Sequence, residues 1–194
     1  MKRFTGLLLV LAYVRTAVGF EHGEMTALSE NAFYSLSPKD VDGNDYAFSD
    51  LEGKTVYILN IAVDHEHAAR YMKDIANLGD KYARFDLQIL LFPCDQFGDT
   101  GTPEQYKSLL HRKQQGVRMM AKVDVRGANA SPVFKLLNGG GTVERDFGAL
   151  HVVDSAGQFA YKFDVEGKGF EPRAREIEMH FRDLIYQRKR KREL

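Results

Sequence analysis

The sequence predicts an α/β domain with a central mixed sheet flanked by helices, and two observations carry that expectation. Two apolar runs, at 55–63 and 85–92, enclose a segment with helical spacing, and strands joined by a crossover helix run parallel. Later, 149–154 and 158–163 flank Ser155-Ala156-Gly157, turn chemistry that joins antiparallel strands. At 194 residues the chain is long enough for one domain with a full core.

Phe33 to Leu36 and Tyr46 to Phe48 alternate large apolar with small or polar residues around the turn-rich Val41 to Asp45, which predicts an N-terminal β-hairpin. The first central strand, Val56 to Val63, is nearly all apolar, as expected when both faces are covered. A helix from about Glu66 to Tyr82 follows, with Ala68, Tyr71, Met72, Ile75 and Leu78 on one face and Asp64 or His65 as its cap. The second central strand is Phe85 to Phe92, stopped by Pro93. Thr102-Pro103-Glu104 opens a second helix reaching about Gln115. A short strand at 121–125, a short helix at 132–137 and the flexible connection Asn138 to Gly141 come next. After the late hairpin, a helix at 173–186 buries Ile177, Phe181, Leu184 and Ile185. Hairpin, βαβ, helix, hairpin, helix is the order of a thioredoxin fold.

The ends read as addresses. Lys2-Arg3, the apolar Gly6 to Val14 and the small residues Ala17-Val18-Gly19 suit a secretory signal over 1–19; an uncleaved anchor is the alternative. The globular domain is then 20–187, with a basic tail at 188–194 ending Lys191-Arg192-Glu193-Leu194, a variant of the Lys-Asp-Glu-Leu retrieval sequence. Together they predict the lumen of the endoplasmic reticulum, with no membrane span once the signal is cleaved. Losing Lys2, Arg3 and Arg15 leaves 24 basic against 27 acidic side chains, a balance that points away from nucleic acid or an anionic surface as the main partner. The basic run 188–192 reads as a solvated tail, against a nuclear or lipid-binding patch.

Functional groups of a βαβ unit gather at the carboxyl ends of its strands. Here those ends carry Asp64, His65, Glu66 and His67 on one strand, and Cys94, Asp95 and Gln96 on the other. Cys94 is the only cysteine, so it is either a small buried core residue or a thiol that pairs with another molecule. His65 and His67 invite a metal, although no second cluster of ligands accompanies them; the other reading is a polar helix start favoured by the helix dipole. Asn129-Ala130-Ser131 matches a glycosylation acceptor, against a turn leading into the next helix.

Asn60-Ile61-Ala62, Phe92 to Gly98, Asp42-Gly43, Gly53-Lys54 and Val153 to Gly157 together resemble the glutathione peroxidases over residues 33–186. Signal and tail are most similar to the endoplasmic-reticulum members. The resemblance implies a peroxidatic cysteine or selenocysteine five residues after the strand asparagine, where a helix N-terminus would favour its thiolate. That position is His65, and the interval from Asn60 to Cys94 matches the family without a gap. The family's glutamine falls at Thr100 and its asparagine at Asp146, and the chain has no tryptophan. No catalytic residue of the family is therefore intact. The resemblance implies glutathione as thiol co-substrate, no cofactor, and oxidative-folding enzymes or client proteins as partners. The leading expectation is a degenerate peroxidase acting by binding in an oxidative-folding or oxidative-stress setting. The alternatives are thiol oxidoreduction through Cys94 and a metal-binding module.

Overall fold

A computed structural model describes residues 32–66, 68–98, 100–110, 116–138, 149–164, 177–186 and 190. The first central strand, β1 (Thr55–Ile61), is buried along its whole length, which is what its unbroken apolar run demands. It is joined through α1 (Ala68–Tyr82) to β2 (Leu87–Pro93), which pairs with it in parallel from Thr55↔Leu87 to Ile61↔Pro93. α2 (Pro103–Leu109) then leads to β3 (Val117–Met119), parallel to β2, and α3 (Pro132–Leu137) follows. β4 (Ala149–Val153) returns antiparallel to β1, β5 (Phe159–Asp164) pairs antiparallel with β4, and helical residues 177–186 form α4. The sheet order β3-β2-β1-β4-β5, parallel on one side of β1 and antiparallel on the other, is that of the thioredoxin-like fold.

The period of two along each strand divides the core. Tyr57, Leu59, Ile61, Ile89 and Leu91 face α1 and α4, where they meet Tyr71, Met72, Ile75, Ile177 and Phe181. Val56, Ile58, Leu90, Phe92 and Cys94 face the other way and pack on Phe33, Phe48, Val133 and Phe134. Tyr82 and Lys81 of α1 both reach Glu178 of α4, and the Tyr57 hydroxyl donates to the Ile177 carbonyl at 3.3 Å, tying the two helices to the sheet.

Several boundaries differ from the sequence reading. The N-terminal hairpin is present but displaced: 32–35 form a turn, and the arms are 36–40 and 44–48, with Phe48 N–H donating to Leu36 O and Tyr46 N–H to Pro38 O. Pro38 has no N–H to return, and the regular ladder shrinks to the Lys39↔Asp45 bridge before Phe48–Leu51 tightens into a 3-10 turn. The first strand stops at Ile61 instead of Val63, and α1 starts at Ala68 instead of Glu66. Residues Ala83–Phe85 form a 3-10 turn and Asp86 takes a left-handed φ of 61°, which delays the second strand from Phe85 to Leu87. The short strand expected at 121–125 lies at Val117–Met119, paired with Ile89 to Leu91 of β2; past it Met120 N–H still reaches Leu91 O, but Val123 N–H reaches Pro93 O one residue out of register. α2 ends at Leu109, short of Gln115, with 111–115 outside the described residues; so are 1–31, 173–176, 187–189 and 191–194, which hold the expected leader, the start of the last helix and most of the tail. No described helix is long and apolar enough to cross a membrane.

Candidate functional site

The loop after β1 and the loop after β2 meet at the carboxyl ends of the parallel strands, as βαβ geometry requires. The Oδ2 of Asp64 accepts from both the backbone N–H and the hydroxyl of Thr100, each at 3.0 Å. The His65 carbonyl takes the Ala68 N–H at 2.9 Å and so closes the first turn of α1. The His65 ring is half-buried and lies against Tyr71, with centroids 5.5 Å apart and planes at 33°. Two of the three positions that the resemblance aligns with family site residues, His65 and Thr100, thus lie on loops held together by Asp64. The third, Asp146, falls outside the described residues, as does His67.

Beneath this contact the site is filled. Gly101 is buried, and a Cβ added there would overlap Val63 and come within 2.8 Å of the Tyr106 ring and 2.9 Å of its hydroxyl. Tyr106 is placed by the start of α2, where the Thr102 hydroxyl accepts from Gln105 N–H at 3.3 Å and the Gln105 side chain accepts from Thr102 N–H at 2.7 Å. Lys122 lies 5.9 Å from the Tyr106 ring and 3.5 Å from the Asp95 carboxylate. The sequence reading missed this plug, although Thr102-Pro103 as cap and first turn already sets Tyr106 one turn into the helix.

Gln96 is not available to a substrate. Its Oε1 accepts from Val125 N–H at 2.9 Å and Arg126 N–H at 3.0 Å, and its Nε2 donates to the Arg126 carbonyl at 3.0 Å. Arg126 completes the clamp by donating to the Gln96 carbonyl at 3.0 Å and lying 4.4 Å over the Phe97 ring. The conspicuous Phe92 to Gly98 motif therefore fastens one loop to another. Gly98, at φ 94°, closes the turn with its N–H on the Asp95 carbonyl, a conformation that favours glycine.

Cys94 is fully buried. It continues the Leu90, Phe92 face and packs in the cluster under α3, on the side of the sheet away from α1 and His65. Its sulfur has the Gln96 Oε1 at 3.9 Å, and its N–H donates to the Ile61 carbonyl at 3.1 Å. Thiol chemistry through Cys94 requires an accessible sulfur, which this position denies. For the metal reading, His67 is outside the described residues, and no group of three or more histidine, cysteine or acidic side chains able to hold a metal occurs among the described ones. Asn129 is exposed in a turn; Ser131 is buried with its hydroxyl accepting from Val133 N–H at 3.3 Å, as the cap of α3.

A parallel βαβ core extended by an antiparallel hairpin, with loops converging at the parallel strand ends, defines a thioredoxin-like protein. Residues 33–138 match the glutathione peroxidase family, and the chain belongs to it. It is 37% identical over 123 residues to the mitochondrial glutathione peroxidase 1 of Chlamydomonas reinhardtii, covering 61% of each protein. With glutathione peroxidase 1 of Helianthus annuus it shares 32% over 143 residues, covering 69% of this chain and 85% of that one. The crystal structure of T. cruzi GPX1 superimposes with a TM-score of 0.62 at 23% identity, covering 79% of this chain and 95% of that one, a likeness of fold.

Proposed function

We propose that this chain is a member of the glutathione peroxidase family that has given up peroxide reduction and acts by binding in the lumen of the endoplasmic reticulum. The observation that carries the reading is the mismatch between sulfur and site: the family's peroxidatic position holds His65, and the only thiol, Cys94, is sealed under the opposite face of the sheet. In the family reaction a thiolate attacks the peroxide O–O bond, becoming a sulfenic acid and releasing water or an alcohol. Two thiols then reduce the sulfenic acid, giving a disulfide and water. Imidazole has no sulfur to carry those electrons. Asp64 bound to Thr100, and Gly101 filled by Val63 and Tyr106, leave the strand ends tied and packed. The luminal address rests on the leader-like 1–19 and the terminal Lys191 to Leu194, and the proposed partners are oxidative-folding enzymes or client proteins.

Purified protein incubated with hydrogen peroxide and reduced glutathione tests this, with peroxide loss and intact mass followed for wild type and Cys94→Ser. The expected result is peroxide loss no faster than in buffer and an unmodified mass. Turnover, or a glutathione adduct, that disappears in Cys94→Ser would refute it and establish Cys94 as a working thiol.

A further inference from the structure

We infer that α3 is an acid-released flap over the Cys94 face of the sheet, with His151 as its latch. At 6 residues α3 is too short to hold its shape unaided, and no main-chain hydrogen bond joins it to a strand among the described residues. Its main-chain and lysine ties run to the preceding loop, through Ser131 N–H to Asp124 O at 2.7 Å and Lys135 Nζ to Ala128 O at 2.8 Å. Side-chain packing holds it to the sheet. Val133, Phe134 and Leu137 are buried in one cluster with Leu90, Phe92 and Cys94, and the Phe134 ring stands edge-on to Phe92 at 5.5 Å and to His151 at 6.2 Å. Among the described residues its polar tie to the sheet is a single hydrogen bond, between His151 Nε2 and Asn138 Oδ1 at 3.1 Å.

An amide oxygen only accepts, so Nε2 carries the hydrogen and Nδ1 is bare. Nδ1 makes no hydrogen bond among the described residues, and the ring is fully buried. A proton added there is a buried charge. No carboxylate among the described residues acts on it. β1 sets Ile58 opposite, α3 brings Phe134 and Asn138, and β5 brings Phe159 and Lys162, whose own positive charge opposes the imidazolium further. Tyr34, Tyr46 and Cys94, the other titratable groups of this cluster, carry no charge in acid.

The imidazolium must reach water, and the neighbours differ in what that costs. β1 and β5 are fixed to β4 by ladders along its length, whereas α3 is held by three apolar side chains and the bond that protonation strains. Lifting α3 about the 124–131 loop wets the ring and leaves the sheet intact. The same movement uncovers Cys94, which shares the cluster.

Cys94 is the only cysteine, so its labelling reads the opening. The full chain is treated with 4,4′-dithiodipyridine at pH 7.5 and pH 5.0. Cys94 forms a mixed disulfide with one half of the reagent and releases the other as thiopyridone. The rate divided by that of urea-unfolded protein at the same pH gives the opening constant. It should rise about 30-fold on acidification, as an imidazole of ordinary pKa in the open state requires. His151→Gln should stay nearly flat. At both pH values the wild-type constant should exceed the global unfolding constant from urea titration at least tenfold, and amide exchange at Lys135 and Asn138 should report the same opening without a substitution. An unchanged wild-type ratio, an equal rise in His151→Gln, or labelling that matches global unfolding would each overturn the inference. The peroxide assay reads chemistry and this one reads opening, so the two readings fail separately.

Discussion

Acid should destabilise this protein through His151, and the effect can be worked from its surroundings. His151 lies on β4 opposite Ile58, fully buried between Phe134 and Phe159, with Nε2 3.1 Å from Asn138 Oδ1 at the end of α3. Burial, reinforced by Lys162 across the β4–β5 ladder and opposed weakly by the Ile58 backbone, lowers its pKa from 6.5 to about 3. In the unfolded chain the imidazole protonates near 6.5; in the fold it stays neutral until far lower. Its contribution to stability is therefore fully present above pH 6.5 and is lost as pH falls, with a slope approaching about 1.4 kcal/mol per unit. At pH 5 the loss is about 2 kcal/mol, and it depends on the unfolded value alone as long as the folded one stays well below 5.

Urea unfolding of wild type and His151→Gln at pH 7.5 and pH 5.0 measures it. Glutamine can still donate to Asn138 Oδ1 but does not titrate, so its fixed cost cancels between the two pH values. Glu178, held below its ordinary value of 4.5 by hydrogen bonds from Lys81 and Tyr82, loses its charge only below this window. The wild-type stability should fall by about 2 kcal/mol more than that of the variant. Equal falls in the two proteins would show that His151 is not a buried neutral imidazole, and the reasoning would be refuted.

Two further predictions concern the packed strand ends. Gly101→Ala should destabilise by about 1–3 kcal/mol, since the new methyl meets Val63 and Tyr106, and Tyr106→Ala in the same chain should recover part of the methyl's cost, read as coupling in a double-mutant cycle. Gln96→Ala removes the acceptor of Val125 and Arg126, of which the first is buried, and should cost about 1–3 kcal/mol by denaturant unfolding. A loss below about 0.5 kcal/mol for Gln96→Ala would contradict the clamp.

What the sequence determined by itself was local or compositional. Unbroken apolar runs named β1 and β2, the three-and-four spacing named the buried face of α1, and a short helix was expected near Pro132 to Leu137, where α3 lies. The absence of a sulfur at His65 was equally a property of the sequence, because it needs only identity and interval. Tertiary structure decided which partner each polar side chain took. Asp64 reached Thr100, 36 residues on; Gln96 was spent on residues 29 and 30 further; and Cys94 turned to the α3 face. The short strand expected at 121–125 lies at Val117–Met119, where the exposed edge of β2 pairs with it. Periodicity reports which side of an element is apolar, since it records burial repeated along the chain. A hydrogen bond is a single choice among competitors that are near in space and far in sequence, and only the folded chain brings those competitors together.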